Sequence, residues 1–322
     1  MPPTPAQPTT RKTASSTAST ATSVAAQPIQ SLKGVRVLSL ALNLPGPAAL
    51  MRCREMGALC VKLEPPPPGD APAGASGDPM KLYNPTAYAA LHAGVRCAVA
   101  DLKTGRGQKL LHRELAKTDV LLTSFRPAAL TKLGLTWKAL HKQHPHLSQV
   151  AIVGSPGERA DEPGHDLTYL AQNDLITGVD LPATLYADMG GSLMASGAVL
   201  QAVMHQRAKG KGVFLEVALS SAAGYLALPR AWGLTQPGAA VGGGHAGYRV
   251  YRCKDGRVAL AALEPHFAAS LCAAAGVAAS SMKTMFAPAT HAAIEAWLLG
   301  KTRKELEKLA QDQDIPLHTL SN

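Results

Sequence analysis

Short apolar runs alternate with helix-like segments over the first half of the chain. The apolar runs, each typical of a buried strand, lie at residues 35–40, 59–64, 96–102, 119–123 and 149–153. The segments with a helical pattern lie at residues 48–56, 105–117, 127–133 and 137–144. Since strands separated by helices form parallel sheets, the pattern predicts an α/β fold with a Rossmann-like, doubly wound large domain. No Gly-x-Gly-x-x-Gly sequence follows the first strand, which argues against a nicotinamide or flavin dinucleotide site.

The pattern changes in the second half of the chain. Residues 192–208 predict a long helix of small residues, and residues 213–219 predict a further strand. Residues 235–247 are rich in glycine and are typical of a linker. Beyond it, Lys254-Asp255-Gly256 separates two apolar runs and predicts the turn of a β-hairpin. These features predict a second, smaller α+β domain.

Four regions follow from these patterns. Residues 1–30 contain mainly Ser, Thr, Ala and Pro, so they bury too little apolar surface to offset their ordering entropy and are expected to form a disordered tail. The large Rossmann-like domain is predicted at 31–224, with a Pro/Gly-rich surface loop at 66–80. The small α+β domain is predicted at 225–300, and 301–322 is predicted to be a truncated C-terminal helical segment.

Composition and charge narrow the class of ligand. Hydrophobic residues make up 46% of the chain and charged residues 17%, which is typical of a packed globular protein. The formal net charge of +10 favours an anionic partner, either nucleic acid or a phosphate-bearing small molecule. Because the basic residues are scattered and no nucleic-acid-binding motif is present, we expect a polyphosphorylated ligand such as coenzyme A rather than nucleic acid.

The cysteines and the apolar runs indicate the cellular compartment. The five cysteines are Cys53, Cys60, Cys97, Cys253 and Cys272. They form no Cys-x-x-Cys pair, so we expect free thiols in a reducing compartment and no metal site. No apolar run reaches the roughly 18 residues that a membrane span requires, and the first 30 residues lack the apolar block of a signal peptide. The expected location is therefore the cytoplasm, with no membrane partner.

The candidate chemistry is concentrated in residues 163–191. His165-Asp166 and the isolated Asp188 offer an imidazole and carboxylates, which can move a proton if they converge on one pocket. The glycine pair 190–191 follows Asp188 and would let a backbone approach a substrate closely. Each residue also has a simpler interpretation: His165 as a turn or capping residue, Asp188 as a helix N-cap, and Asp166 as structural support. Likewise, Glu264 before Pro265 is typical of a helix start.

An ordered series of motifs between about residue 32 and residue 316 resembles one family. The motifs are 32–38 (LKGVRVL), 46–47 (GP), 56–58 (MGA), 61–64 (VKLE), 101–103 (DLK), 119–121 (DVL), 125–127 (FRP), 164–166 (GHD), 187–191 (ADMGG), 210–212 (GKG) and 263–267 (LEPHF). In order and spacing the series is similar to the class III coenzyme A transferases of the CaiB/BaiF type, and in particular to their α-methylacyl-CoA racemase branch.

This resemblance implies a structure and a chemistry. It implies a Rossmann-like large domain and a small domain, with two chains interlocked as a homodimer and the site between domains and subunits. In the racemases the residue that matches His165 exchanges a proton on one face of the α-carbon, and the residue that matches Glu264 assists it. The residue that matches Asp188 exchanges the proton on the other face. This role requires that the pKa of its carboxyl group be raised. The resemblance places the CoA contacts on four further residues: Lys103, Phe125, Arg126 and Lys132. No cofactor is expected beyond the CoA of the substrate.

Four interpretations of function remain. The leading one is inversion of the α-carbon of a 2-methylacyl-CoA, and its rival is CoA transfer between carboxylic acids with Asp188 as the nucleophile. The histidine favours the racemase, since the transferases generally lack it. A divergent, non-catalytic CoA-binding protein is a third interpretation. Its motivation is Pro65 in place of an arginine, the sequence 94–96 (GVR) in place of Gly-Lys-Arg, and an end at Asn322 before a segment that would return to the large domain. The fourth, non-specific nucleic-acid binding, rests on charge alone.

Overall fold

The computed structural model describes residues 29–69, 72, 75–278 and 281–322. The predicted disordered tail, residues 1–30, lies outside the described residues except for its last two. No helix among the described residues is long and apolar enough to cross a lipid bilayer.

The large domain is built on a six-stranded sheet in which every strand pair is parallel. The strands are β1 (Arg36–Ser39), β2 (Leu59–Glu64), β3 (Arg96–Val99), β4 (Val120–Thr123), β5 (Ser148–Val153) and β6 (Phe214–Ala218). Their order across the sheet is β3-β2-β1-β4-β5-β6. The predicted Rossmann-like α/β fold is confirmed. Because the order reverses between β1 and β4, the crevice beyond the carboxyl ends of these two strands is where such a sheet binds its ligand.

Helices cover both faces of this sheet. They are α1 (Pro45–Glu55), α2 (Pro79–Tyr83), α3 (Pro85–Leu91), α4 (Gly105–Leu115), α5 (Pro127–Lys132), α6 (Trp137–Gln143), α7 (Asp166–Gln172), α8 (Tyr186–Lys209), α9 (Leu219–Leu226) and α10 (Leu228–Ala231). Along β4, Val120 and Leu122 belong to the core on the side of α1 and α8, whereas Leu121 belongs to the core on the side of α4 and α6. Both faces are therefore apolar, as is usual for parallel strands.

Helix α8 begins six residues before the predicted start at residue 192 and contains the glycine pair. A Cβ atom at Gly191 would lie 2.3 Å from Leu219 Cδ2, and one at Gly190 would lie 3.2 Å from Leu226 Cδ1. The glycines thus let α8 pack closely against α9. The predicted helix start at residue 192 is therefore wrong, since both glycines lie inside α8. Helix α9 also crosses the predicted domain boundary at residue 224 and packs on the large domain.

The predicted surface loop at 66–80 ends in a helix that the sequence analysis missed. Helices α2 and α3 each begin with a proline, and each is capped by the residue before it: the Asp78 side chain accepts a hydrogen bond from the Met80 N–H, and that of Asn84 from the Ala87 N–H. An Asn or Asp followed by Pro is typical of a helix start, so the sequence itself indicates where both helices begin.

A buried charged network holds α2 and α3 against β2. The Lys62 ammonium group, fully buried, lies 2.9 Å from Glu64 Oε1 and 2.5 Å from Asp78 Oδ2. It also donates to His92 Nε2 at 2.8 Å, while His92 Nδ1 donates to the Tyr88 carbonyl oxygen. The Tyr88 hydroxyl donates to Glu64 Oε1 at 2.9 Å. The two carboxylates and the ammonium group therefore compensate one another away from water.

The small domain is a three-stranded antiparallel sheet with helices packed on one face. The strands are β7 (Tyr248–Cys253), β8 (Gly256–Ala261) and β9 (Leu317–Leu320), in that order. The helices are α11 (Pro265–Ala275), α12 (Met282–Met285), α13 (Pro288–Leu299) and α14 (Arg303–Asp312). The predicted hairpin is confirmed. The prediction of a helical segment for 301–322 holds for α14 but misses β9, which pairs with β8 and makes the C-terminal residues part of this sheet.

Candidate active site

A cavity of about 240 Å³ opens beyond the carboxyl ends of the central strands. Its walls include loop residues that follow β1, β4 and β5, together with residues from the N-terminal ends of α7 and α8. The polar lining residues include Asn43, Ser124, Arg126, His165, Tyr169 and Asp188. The position matches the crevice that the reversal of strand order creates.

His165 and Asp188 line this same cavity, so two of the three predicted catalytic residues come together in one chain. His165 lies immediately before α7, and its backbone N–H donates to the Thr168 hydroxyl at 3.1 Å, which fixes the backbone beneath the imidazole. Asp188 is the third residue of α8, whose N-cap is Leu185. The interpretation of Asp188 as the helix N-cap is therefore wrong.

Asp166 ties the two helices together at the cavity. Its side chain is buried, and Oδ1 accepts a hydrogen bond from the Asp188 backbone N–H at 2.9 Å. The contact holds the start of α8 against the start of α7 and thereby fixes the position of Asp188 relative to His165. Asp166 has the structural role that the simpler interpretation gave it.

The environment of Asp188 suits it to proton transfer. Burial, and after it the nearby Asp166 carboxylate, raises the pKa of its carboxyl group from 3.8 to about 6, whereas His165 acts in the opposite direction. A group whose pKa lies near neutral pH populates both its acid and its base form, which is what reversible proton exchange requires.

Tyr169 is a lining residue that the sequence analysis missed. It is 4% exposed, and its ring is held between two glycines: a Cβ atom would lie 2.2 Å from the Tyr169 Oη at Gly154 and 2.5 Å from it at Gly164. The hydroxyl forms no hydrogen bond with another described residue. Burial and then Asp188 raise the pKa of Tyr169, so it remains a hydroxyl donor. Its spacing of four residues from His165, on one helical face, was the available signal.

The predicted CoA contacts surround the same entrance. Lys103, Phe125 and Lys132 line a second cavity, of about 560 Å³, between α4 and α5. Phe125 lines both cavities, and Arg126 lines the one that contains His165. Phe125 therefore lies between the cavity that holds His165 and Asp188 and the one that holds Lys103 and Lys132.

Glu264 is not brought to this cavity within one chain. It is the N-cap of α11 in the small domain, its side chain is exposed, and it is not among the residues that line the cavity with His165. The interpretation of Glu264-Pro265 as a helix start is confirmed, although the Glu264 side chain makes no cap hydrogen bond.

One cluster among the described residues has the ligand types of a metal site. Potential ligand atoms of Glu64, His92 and Cys97 lie within 4.8 Å of one another. The Lys62 ammonium group contacts both Glu64 and His92, and it occupies the place that a cation would take. We therefore assign a structural role to this cluster.

Comparison with known proteins agrees with the fold. The family model for CoA-transferase family III matches residues 32–322, and the chain belongs to this family. It is 28% identical to the human α-methylacyl-CoA racemase over 255 residues, which are 74% of this chain and 63% of the racemase. It is 31% identical to the cinnamoyl-CoA:phenyllactate CoA-transferase of Clostridium sporogenes over 206 residues, which are 60% of this chain and 50% of the transferase.

A solved structure supports the same fold. The crystal structure of the Mycobacterium tuberculosis protein Rv3272 superposes with a TM-score of 0.75 and 24% sequence identity. The match covers 92% of this chain and 85% of the Rv3272 chain. The chain spans about half to two thirds of the length of the racemase and transferase that it matches. Relatives named for each of the two reactions occur at similar identity, so the family alone does not choose between them.

Proposed function

We propose that this protein inverts the α-carbon of a 2-methylacyl-CoA thioester. The observation that carries the proposal is that His165 and Asp188 line one cavity and that the pKa of Asp188 is raised to about 6. A reversible proton exchange needs two groups that can each give and take a proton on one substrate. These acid–base groups are sufficient, so we propose no cofactor beyond the CoA of the substrate.

The proposed reaction has two proton transfers. The neutral imidazole of His165 takes the α-proton, and the electrons of the C–H bond move into the thioester to form an enolate. The protonated carboxyl group of Asp188 then gives its proton to the opposite face of the same carbon, which leaves a carboxylate. The reverse direction uses the same two groups with their roles exchanged. Each positioned acid or base contributes about 10²–10⁴-fold to such a rate.

Tyr169 is proposed to stabilise the enolate oxygen. Tyr169 lines the cavity, and its hydroxyl has no hydrogen-bond partner among the described residues. A preorganised donor of this kind stabilises charge that develops in the transition state. Tyr169→Phe is expected to lower kcat by about 10²-fold with little change in KM, since the bond strengthens only as the enolate forms. Steady-state kinetics would measure this, with Tyr225→Phe, an exposed tyrosine on α9, as the control. A Tyr169→Phe enzyme with the kcat of the unaltered protein would remove Tyr169 from the mechanism.

CoA transfer is the second candidate, because the Asp188 carboxyl group lines the cavity and relatives named as CoA-transferases match. In this reaction the Asp188 carboxylate attacks the thioester carbonyl carbon, the C–S bond breaks, and CoA leaves as the thiolate. The product on the enzyme is a mixed anhydride at Asp188. A pKa of about 6 leaves the Asp188 carboxyl group mostly ionised at neutral pH, so it is available as a nucleophile as well as for proton exchange.

One incubation separates the two reactions. The protein is mixed with 2-methylbutanoyl-CoA in deuterated water, and both substrate and protein are analysed by mass spectrometry. The proposal predicts one deuterium atom at the α-carbon and no covalent adduct. An adduct at Asp188, or exchange of CoA onto an added carboxylic acid without deuterium uptake, would support the transferase instead. Unchanged substrate and protein would favour the non-catalytic CoA-binding alternative.

A homodimer is proposed to complete the site. Several large apolar side chains near Asp188 are exposed in one chain: Leu185, Tyr186, Met189, Leu193 and Met194. Apolar surface of this extent is typical of an interface, and a second copy would also supply Glu264, which one chain leaves away from His165. Light scattering is expected to give twice the chain mass of 33.5 kDa. A monomer that turns over acyl-CoA would contradict the dimeric site.

A further inference from the structure

Asn43 lines the active-site cavity, and the proton transfers described above do not use it. It lies in the loop between β1 and α1, and its side chain is half-buried in the wall of the cavity that holds His165 and Asp188. Its backbone has a φ of 66°, in the left-handed region that few residues other than glycine adopt. Asp174 and Asp314, the other non-glycine residues with positive φ among those described, do not line the cavity. Backbone strain of this kind persists only where the surroundings hold it, and it is common at functional sites.

The buried network around Lys62 holds the Asn43 backbone. The Asn43 N–H donates to both oxygens of the Asp78 carboxylate, at 3.3 Å each. Asp78 is fully buried and contacts the Lys62 ammonium group. Because Asp78 also caps α2, one carboxylate joins the turn at Asn43 to α2 and to β2. The network therefore fixes the point from which the Asn43 side chain extends.

The amide group of Asn43 is oriented by Tyr83, the last residue of α2. The Tyr83 hydroxyl donates a hydrogen bond to Asn43 Oδ1. An amide carries its acceptor oxygen and its donor nitrogen on opposite sides, so this bond turns Nδ2 away from Tyr83. Nδ2 forms no hydrogen bond with another described residue. Since an amide NH2 group has donors and no acceptor, it is satisfied only by an acceptor on a ligand or by water.

The pair of Asn43 and Tyr83 lies near the carboxyl group that acts on the substrate. Partial burial is the main cause that raises the pKa of both Tyr83 and Tyr169, and the charge of Asp188 contributes at both, with Asp78 adding to it at Tyr83. The Asn43 amide and the Tyr169 hydroxyl are therefore both close to Asp188. In a 2-methylacyl thioester the strong hydrogen-bond acceptor next to the α-carbon is the carbonyl oxygen. A donor beside Asp188 matches that oxygen.

We infer that Asn43 donates a hydrogen bond from Nδ2 to the thioester carbonyl oxygen and, together with Tyr169, stabilises the enolate. The inference rests on the proposed function, because it requires an acyl thioester in this cavity. Asn43 is then a catalytic residue, and Tyr83 is a positioning residue that acts through it. The oxygen gains negative charge as the α-proton leaves, so the hydrogen bond strengthens in the transition state and affects kcat more than KM.

Two substitutions separate a donor from a residue that only shapes the backbone. Asn43→Gly keeps the left-handed backbone without strain and adds no charge beside Asp188. Asn43→Asp tolerates the same backbone and keeps an oxygen for the Tyr83 hydroxyl, but it has no N–H to donate. The measurement is the initial rate of deuterium uptake from deuterated water into 2-methylbutanoyl-CoA at a series of substrate concentrations. Both variants are expected to lose about 10²-fold in kcat, with little change in KM.

The other roles of Asn43 give different results. A residue that only shapes the backbone predicts an unaltered kcat for both variants, and a residue that only accepts from Tyr83 predicts a loss for Asn43→Gly alone. Tyr83→Phe lets the amide turn over and is expected to lower kcat by about 2- to 10-fold, as the loss of one neutral hydrogen bond implies.

Asp314→Gly is the matched control. Asp314 is exposed in the small domain and has a φ of 51°, so its replacement relieves the same kind of backbone strain away from the cavity and should leave kcat unchanged. A loss of less than about tenfold in either Asn43 variant, or a change in KM alone, overturns the inference and leaves the proposed function standing. An unaltered protein that takes up no deuterium overturns both.

Discussion

Asp188→Asn is expected to abolish racemisation and yet to make the folded protein more stable at neutral pH. The activity should fall by about 10³-fold or more, because an amide can neither give nor take the α-proton. The stability should rise because the carboxylate is disfavoured where it lies: burial and Asp166 raise its pKa from 3.8 to about 6. At one pKa unit per 1.36 kcal/mol, and allowing for partial exposure, the gain is about 1–3 kcal/mol.

The sign of the pH dependence makes this expectation specific. Between about pH 4 and pH 6 the folded protein holds a proton on Asp188 that the unfolded chain has lost, so the stability contributed by this group falls as the pH rises through that range. The Asp188→Asn protein has no carboxyl group at this position, so its stability does not fall for this reason as the pH rises. Urea unfolding at pH 4 and pH 7.5 should therefore show a gain for Asp188→Asn only at the higher pH, and no gain for Asp180→Asn, which removes an exposed carboxyl group. Equal gains at both pH values would contradict the buried carboxyl group.

Lys62→Met is expected to cause the largest loss of stability of any single change considered. The substitution leaves Glu64 and Asp78 as buried carboxylates without the ammonium group that both contact. Breaking a buried pair by removing one partner costs about 3–5 kcal/mol, because the remaining charge is left uncompensated. Asp78 also caps α2, so α2 and α3 should loosen together.

Urea unfolding at neutral pH measures this loss. Lys81→Met is the matched control, since Lys81 is an exposed lysine on α2 itself and its loss should change the free energy of unfolding by about 0.5 kcal/mol or less. A Lys62→Met protein within 1 kcal/mol of the unaltered one would show that water reaches the network, because only solvated charges can be removed so cheaply.

The sequence predicted the sheet because the pattern and the packing agree there. Each strand of the large domain is a short apolar run, and both faces of the sheet are covered, so hydrophobicity alone marks the strands. The start of α8 was missed for a tertiary reason. Gly190 and Gly191 disfavour a helix locally, and only the close approach of α9, seen in the contact of Gly191 with Leu219, explains their presence inside one.

The candidate site was predicted in part. His165 and Asp188 line one cavity at the ends of adjacent parallel strands, and the four predicted CoA contacts line this cavity or its neighbour. Glu264 lies in the other domain, and no local pattern specifies how the two domains, or two chains, meet. Tyr169 was missed because a buried tyrosine is ordinarily a core residue, and only the structure shows that it lines the cavity beside Gly154 and Gly164.

The central claim is that His165 and Asp188 act on opposite faces of one carbon. It is tested most directly by deuterium uptake from deuterated water into each separate enantiomer of 2-methylbutanoyl-CoA, with His165→Gln and Asp188→Asn as the enzymes. Either variant keeps one base, which can remove a proton and return a deuteron on its own face only. We predict that each variant labels a single enantiomer without inverting it and that the two variants label opposite enantiomers. Labelling of the same enantiomer by both, or inversion by either at the rate of the unaltered protein, would contradict the account.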